Sequence, residues 1–317
     1  MERFYVVAPA LIPSAYMIGA FLYYCALSAA GRRPQVDGVS RRKFTDIFGP
    51  FLIGYLFWLL RPIERLFVAS RVPPNAITMT SMMLCAIAGV AAATGYLATA
   101  AWVYIGAGMF DVLDGRLARA TNRSSKSGAF LDSVSDRWGE LLIFSGYAWL
   151  MRDSPWLLAV MLAVAGSMMV SYTRARGEGL GVDLDGGTMQ RAERIAIVAI
   201  GTLAAAWLQA ATNTAGYALH VIGVALLITG VGSVATGLGR WVHGYRALTA
   251  RERARADDEA SASQPLFTAA TRDPKPSVEE PPAGDQVVDS TADNVDSAAL
   301  LSTQSKPRSR DMASAGR

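Results

Sequence analysis

Apolar residues in this chain come in long, nearly unbroken runs, and polar residues are gathered into the links between them. Runs at 5–30, 75–96, 97–119, 128–150, 155–172, 195–212 and 215–240 each approach or exceed the length needed to cross a bilayer, for which about 20 apolar residues suffice. One run is different. Residues 48–60 are too few to span, and Arg61, Pro62, Glu64 and Arg65 interrupt the pattern before Leu66, Phe67 and Val68 resume it. A polar insert that returns on one face predicts an amphipathic helix lying in the membrane interface. Pro73-Pro74 then breaks the chain, with Asn75 a candidate N-cap for the next helix. From Ala250 onward Pro, Ser, Asp, Glu and Ala dominate and no apolar period survives, so a disordered tail is expected. The pattern predicts an all-α integral membrane protein. An N-terminal transmembrane helix (1–31) and an interfacial amphipathic helix (44–72) precede a six-transmembrane-helix core (73–246), and a tail (250–317) follows.

Composition agrees: 52% of the 317 residues are hydrophobic and 18% are charged. The distribution of charge is more informative than its formal sum of +4. Basic residues crowd the links at 31–47, 120–127 and 173–194, whereas 151–154 and 212–215 are short and weakly charged. The positive-inside rule then puts the basic links and the C-terminus in the cytoplasm and the N-terminus outside a multi-pass cell-membrane protein. The first run is longer than the 7–15-residue core of a signal peptide, and Arg32, Arg33, Arg41, Arg42 and Lys43 follow it, which favours a retained anchor. Cys25 and Cys85 both lie in apolar runs and suggest neither a disulfide nor a zinc site.

Four aspartates stand against this apolar background. Asp111 and Asp114 end one run, and Asp132 and Asp136 begin the next. A charged side chain at mid-membrane costs roughly 2.5–3.5 kcal/mol or more, so four together imply a cationic ligand between them. Residues three and four apart share a helix face, and the short link 120–127 returns the second helix antiparallel, so the two acidic faces can converge. Carboxylates alone are hard oxygen donors, suited to Mg²⁺ or Mn²⁺. Two divalent ions would balance the four charges. Gly115 and Ala118 leave the wall low for a bulky ligand, and Arg119 lies two turns from Asp111 on nearly the same face, where it can pair a phosphate.

Written out, the stretch reads D-x2-D-G-x2-A-R-x8-G-x3-D-x3-D, from Asp111 to Asp136. It resembles the signature of the CDP-alcohol phosphatidyltransferases at every position, and the likeness extends over roughly 73–241. The resemblance implies an enzyme that displaces CMP from CDP-diacylglycerol with a polar alcohol, as a homodimer in the membrane, with two divalent metals and no nucleic-acid partner. It also implies that Asp111, Asp114, Asp132 and Asp136 are metal ligands and that Asp136 is the general base. The same resemblance implies that Asn75, Thr78, Gly115, Ala118, Arg119 and Ser125 bind the CDP-lipid. An intramembrane prenyltransferase and a divalent-cation transporter are the alternatives from other classes.

A second block, S-Y-T-R-A-R-G-E at 171–178 followed by A-E-R at 192–194, is similar to the bacterial phosphatidylinositol-phosphate synthase branch. That likeness makes Arg174, Arg176 and Arg194 ligands of the acceptor's phosphate and inositol phosphate the expected acceptor, with glycerol 3-phosphate as the rival. Arg174 and Arg176 lie about 200° apart on an ideal helix. Either the helix has already ended there or only one of the two is a direct ligand, and the glycines that follow favour an ended helix.

Overall fold

The computed structural model describes residues 2–32, 34, 49–212 and 214–262. Eight α-helices and no strand occur among them: α1 (Glu2–Ala29), α2 (Pro50–Ala69), α3 (Pro74–Ala93), α4 (Leu97–Ala120), α5 (Lys126–Leu150), α6 (Leu157–Gly179), α7 (Arg191–Thr212) and α8 (Ala215–Ala262). Most of the basic 31–47 link, and the tail beyond 262, lie outside the described residues.

Six helices are long and apolar enough to cross a membrane: α1, α3, α4, α6, α7 and α8. Of the other two, α2 carries Arg61, Glu64 and Arg65. The 25 residues of α5 include Asp132, Asp136, Arg137 and Glu140. Of these, Asp136 and Glu140 face arginines of α7 inside the bundle, and α5 runs beside α3. A Cβ on Gly146 would overlap the backbone of Gly89, and one on Gly89 would meet the Leu142 carbonyl. Such close backbone approach is how membrane helices gain van der Waals contact where lipid offers no hydrophobic drive. Small residues recur at the centre: Ala88, Ala92, Ala98, Ala100, Ala107 and Ala199 are all buried. The chain is a multi-pass, all-helical membrane protein.

Three boundaries differ from expectation. The helix that starts at Pro74 has Pro73, not Asn75, at its N-cap, because proline fits the first helical turn. Helix α6 does not stop near Tyr172; it continues to Gly179. The chain turns at Gly181 (φ +73°), after which Val182 N–H bonds the Gly177 carbonyl and Leu184 packs on Gly177. A glycine there serves contact, and the one two residues after the helix ends it. Helix α8 passes both 240 and the expected tail boundary at 250 to reach Ala262. Arg, Ala and Glu in 246–256 are strong helix formers, and Arg251 bonds the Gly181 carbonyl at 3.0 Å.

Helix α2 is fixed to the bundle from two sides. Arg116 of α4 pairs with Glu64 at 2.7 Å and stacks 4.3 Å over the Phe57 ring. On the other side an aromatic cluster of Phe21, Tyr23 and Tyr24 from α1 with Phe51, Tyr55 and Trp58 from α2 joins the two helices, and Tyr55 Oη donates to the Met17 carbonyl at 2.9 Å.

Candidate active site

The hairpin between α4 and α5 sets the acidic faces against each other. Asn122 adopts φ +53°, a left-handed conformation that asparagine tolerates better than most residues, and Arg123 N–H closes onto the Ala118 carbonyl. Ser125 then caps α5, its Oγ accepting from Gly128 N–H at 3.0 Å. With both ends set, carboxylate oxygens of Asp111, Asp114 and Asp132 lie within 4.8 Å of one another. Oxygens at 2.0–2.6 Å from a shared ion reach such separations, so this hard-donor set fits a divalent metal. Asp114 is buried and is oriented by Thr78 of α3, whose Oγ1 donates to Asp114 Oδ2 at 2.6 Å. Thr78, read in the sequence only as a lipid contact, therefore also steers one carboxylate of the acidic cluster.

Asp136 stands outside that trio. Arg191, at the start of α7, pairs with both Asp111 and Asp136 and so joins the two ends of the acidic row. The adjacent Arg137 instead donates to the Ser133 carbonyl. The remaining lipid-site candidates line the same hairpin. Asn75 Oδ1 lies near Gly128, where an added Cβ would stand 3.5 Å away, and the Arg119 guanidinium folds back over Gly115. Ala118 is half-buried one turn above Asp114.

The arginines of the second block do not converge on one open pocket. Arg174 is half-exposed, paired with Glu178 at 2.9 Å and Asp185 at 3.0 Å. Arg176 is exposed on a different side, since α6 is still helical there. Arg194, expected to face an acceptor, is 2% exposed, with its guanidinium against Glu140 and donating to the Met189 carbonyl at 3.1 Å. The reason is electrostatic: a guanidinium buried at this depth takes the nearest carboxylate, and Glu140 lies one turn beyond Asp136 on α5. Two residues escaped the sequence reading. Glu140 extends the Asp132–Asp136 row by a further i+4 step, a signal that was present. Arg240 of α8 is buried, bonding the Val170 and Gly186 carbonyls at 2.8 Å and the Asp185 carbonyl at 3.5 Å, which brings it to the same Asp185 that holds Arg174. At the end of an apolar run it looked like a helix stop.

The sequence profile of the CDP-alcohol phosphatidyltransferases matches residues 71–230. This chain belongs to that family. Membership removes the prenyltransferase and transporter alternatives. Among relatives, an archaetidylinositol phosphate synthase of Methanothermobacter thermautotrophicus is 39% identical over 149 residues, 45% of this chain and 75% of the relative. A phosphatidylinositol phosphate synthase of Corynebacterium glutamicum is 32% identical, covering 45% of this chain and 68% of the relative. The crystal structure of the Mycobacterium tuberculosis phosphatidylinositol phosphate synthase with CDP-DAG bound superposes with a TM-score of 0.51 at 28% identity, over 58% of this chain and 92% of that one. The same enzyme in complex with manganese and citrate gives a TM-score of 0.51 at 27% identity, over 58% of this chain and 88% of that one.

Proposed function

We infer that this phosphatidyltransferase moves the phosphatidyl group of CDP-diacylglycerol to inositol phosphate and releases CMP. The observation that carries the reading is the convergence of Asp111, Asp114 and Asp132 beside Asp136 at the mouth of one hairpin, in a chain whose relatives are inositol phosphate lipid synthases. The acceptor's hydroxyl oxygen attacks the phosphatidyl phosphorus, the bond from that phosphorus to the CMP oxygen breaks, and Asp136 takes the hydroxyl proton. Asp111, Asp114 and Asp132, with Asp136 as the fourth ligand, would hold Mg²⁺ or Mn²⁺. The metal supplies Lewis-acid polarisation of the diphosphate and charge stabilisation for departing CMP. Thr78 keeps Asp114 aimed at the site. Asn75, Ser125, Gly115, Ala118 and Arg119 bound the space for the CDP-lipid.

For the acceptor's phosphate, Arg174 and Arg176 are the exposed candidates, with Arg240 beside Arg174 through Asp185. Arg194 joins them only by exchanging Glu140 for phosphate. The basic link 173–194 shares this end of the bundle, which supports an active site facing the cytoplasm and an N-terminus outside. The assembly is a homodimer, an inference from the family resemblance. The test is CMP release by purified protein given CDP-diacylglycerol with inositol phosphate, glycerol 3-phosphate or free inositol, with and without Mn²⁺. Metal-dependent release that is fastest with inositol phosphate is expected. Faster release with glycerol 3-phosphate replaces the acceptor, and no release with any of the three sinks the reaction.

A further inference from the structure

Arg191 opens α7, and the packing of the next turn fixes where its guanidinium lies. Ile195 packs on α4: a Cβ on Gly108, three residues before Asp111, would stand 3.2 Å from Ile195 Cγ2. Arg194 pairs with Glu140, one turn beyond Asp136 on α5. These two contacts pin α7 to both helices of the acidic hairpin, three or four residues along each from the aspartates. In that register Arg191 reaches Asp111 and Asp136 together, setting Nη1 against the Oδ1 oxygen of each. A Cβ on Gly139 would stand 3.1 Å from Cys85 Sγ and 3.9 Å from Arg191 Nη2, so α3 and α5 close the other end of the guanidinium. Arg191 is thus built into the acidic site from a third helix.

The charge count of the site then bears on how it takes up metal. Metal ligands must be deprotonated, so Asp111, Asp114, Asp132 and Asp136 bring four negative charges. Arg191 offsets one of them. The Arg194–Glu140 pair cancels itself, Arg119 is exposed to water, and Arg137 is turned to the Ser133 carbonyl. Three negative charges remain. One divalent ion leaves a single negative charge, and a second makes the site positive. Charges a few ångströms apart interact strongly where water screens them little. Arg191 therefore opposes the second ion, most of all beside Asp111 and Asp136, the two carboxylates it shares. The donor's diphosphate reverses that balance, because it brings negative charge of its own and oxygens for the open metal positions.

We propose that Arg191 makes the second metal ion conditional on the donor: the aspartates hold one divalent ion firmly by themselves, and the second is held only together with the nucleotide diphosphate. This rests on the proposed reaction, so the test counts bound ions and needs no turnover. Purified, metal-free protein is titrated with Mn²⁺, and free Mn²⁺ is read by electron paramagnetic resonance, with and without CDP. The wild type should bind one ion firmly without CDP, and CDP should tighten the second about tenfold, the size of effect that partners of metal ligands commonly have. Arg191→Met, which removes the charge and keeps much of the length, should bind the second ion about tenfold more tightly without CDP. Arg191→Lys keeps the charge and should titrate like the wild type. Two ions of equal affinity in the wild type without CDP overturn the proposal and leave the reaction standing. A second ion that still needs CDP in Arg191→Met, or no longer needs it in Arg191→Lys, also overturns it. Should Arg191→Met fail to fold, the wild-type and Arg191→Lys titrations decide. No Mn²⁺ bound even with CDP sinks the metal-dependent reaction and this proposal together.

Discussion

The α4–α5 hairpin and the α6–α7 connection both carry clustered charge at the same end of the bundle, yet they are organised on different principles. In the hairpin, short side chains stand on two helices whose facing surfaces are fixed by spacing, by Asn122 in its left-handed turn and by the Ser125 cap. A carboxylate one bond from Cβ goes where its helix face goes. Around the connection, arginines with four rotatable bonds reach past their own helix and pair with whatever acid the packing supplies: Arg174 with Asp185 beside its own-helix partner Glu178, Arg191 with Asp111 and Asp136, Arg194 with Glu140. Short acids are positioned by secondary structure, and long bases by tertiary structure.

The sharpest way to break this contrast is at Asp136. Asp136→Asn should lower kcat by at least a hundredfold, the lower end of what a general base contributes, while metal affinity measured by calorimetry falls far less. Retention of more than a few per cent of the wild-type rate would remove Asp136 from the base role.

Next in size is the buried pair. Arg194→Ala leaves Glu140 charged without its partner and should cost about 3–5 kcal/mol of stability, read as a lower thermal unfolding midpoint in detergent. The double variant Glu140→Gln with Arg194→Met should recover most of that loss. If Arg194→Ala unfolds like the wild type and only the acceptor's KM rises, Arg194 is a phosphate ligand and the pairing with Glu140 is incidental.

Arg174→Ala probes the exposed side. A charge-assisted hydrogen bond is worth roughly 1.5–3 kcal/mol, so KM for inositol phosphate should rise about tenfold to a hundredfold while KM for CDP-diacylglycerol stays put. Equal changes in both would reduce Arg174 to a topology signal.

The smallest effect belongs to the C-terminus. Ending the chain after Ala262 should leave kcat and both KM values within twofold. Ending it after Ala250 removes the Arg251 contact with Gly181 and should modestly raise KM for the acceptor alone. A larger loss on removing 263–317 would give that segment a part in catalysis.

The same contrast explains what could be read in advance. Helix number and the meeting of Asp111, Asp114 and Asp132 follow from run length and i, i+3, i+4 periodicity, which are local. Arg191 and Arg194 could be placed on α7 but not matched to partners, because that depends on how α7 is turned against α4 and α5. Gly177 misled for a related reason. A glycine that ends a helix and one that admits a neighbour such as Leu184 look alike until the neighbour is known.

Helix α8 has a consequence for whatever the chain carries beyond it. Its 48 residues make a rod about 72 Å long, more than twice the thickness of a hydrocarbon core of roughly 30 Å. Arg251 is moored to Gly181, and past that mooring the helix runs on for about 16 Å with every described side chain exposed. Sequence attached at Ala262 thus starts from the tip of a mast whose foot is moored at Gly181. Its reach is set by the number of helical turns, so lengthening or shortening 252–262 by seven residues would move that starting point by about 10 Å without touching a residue of the site.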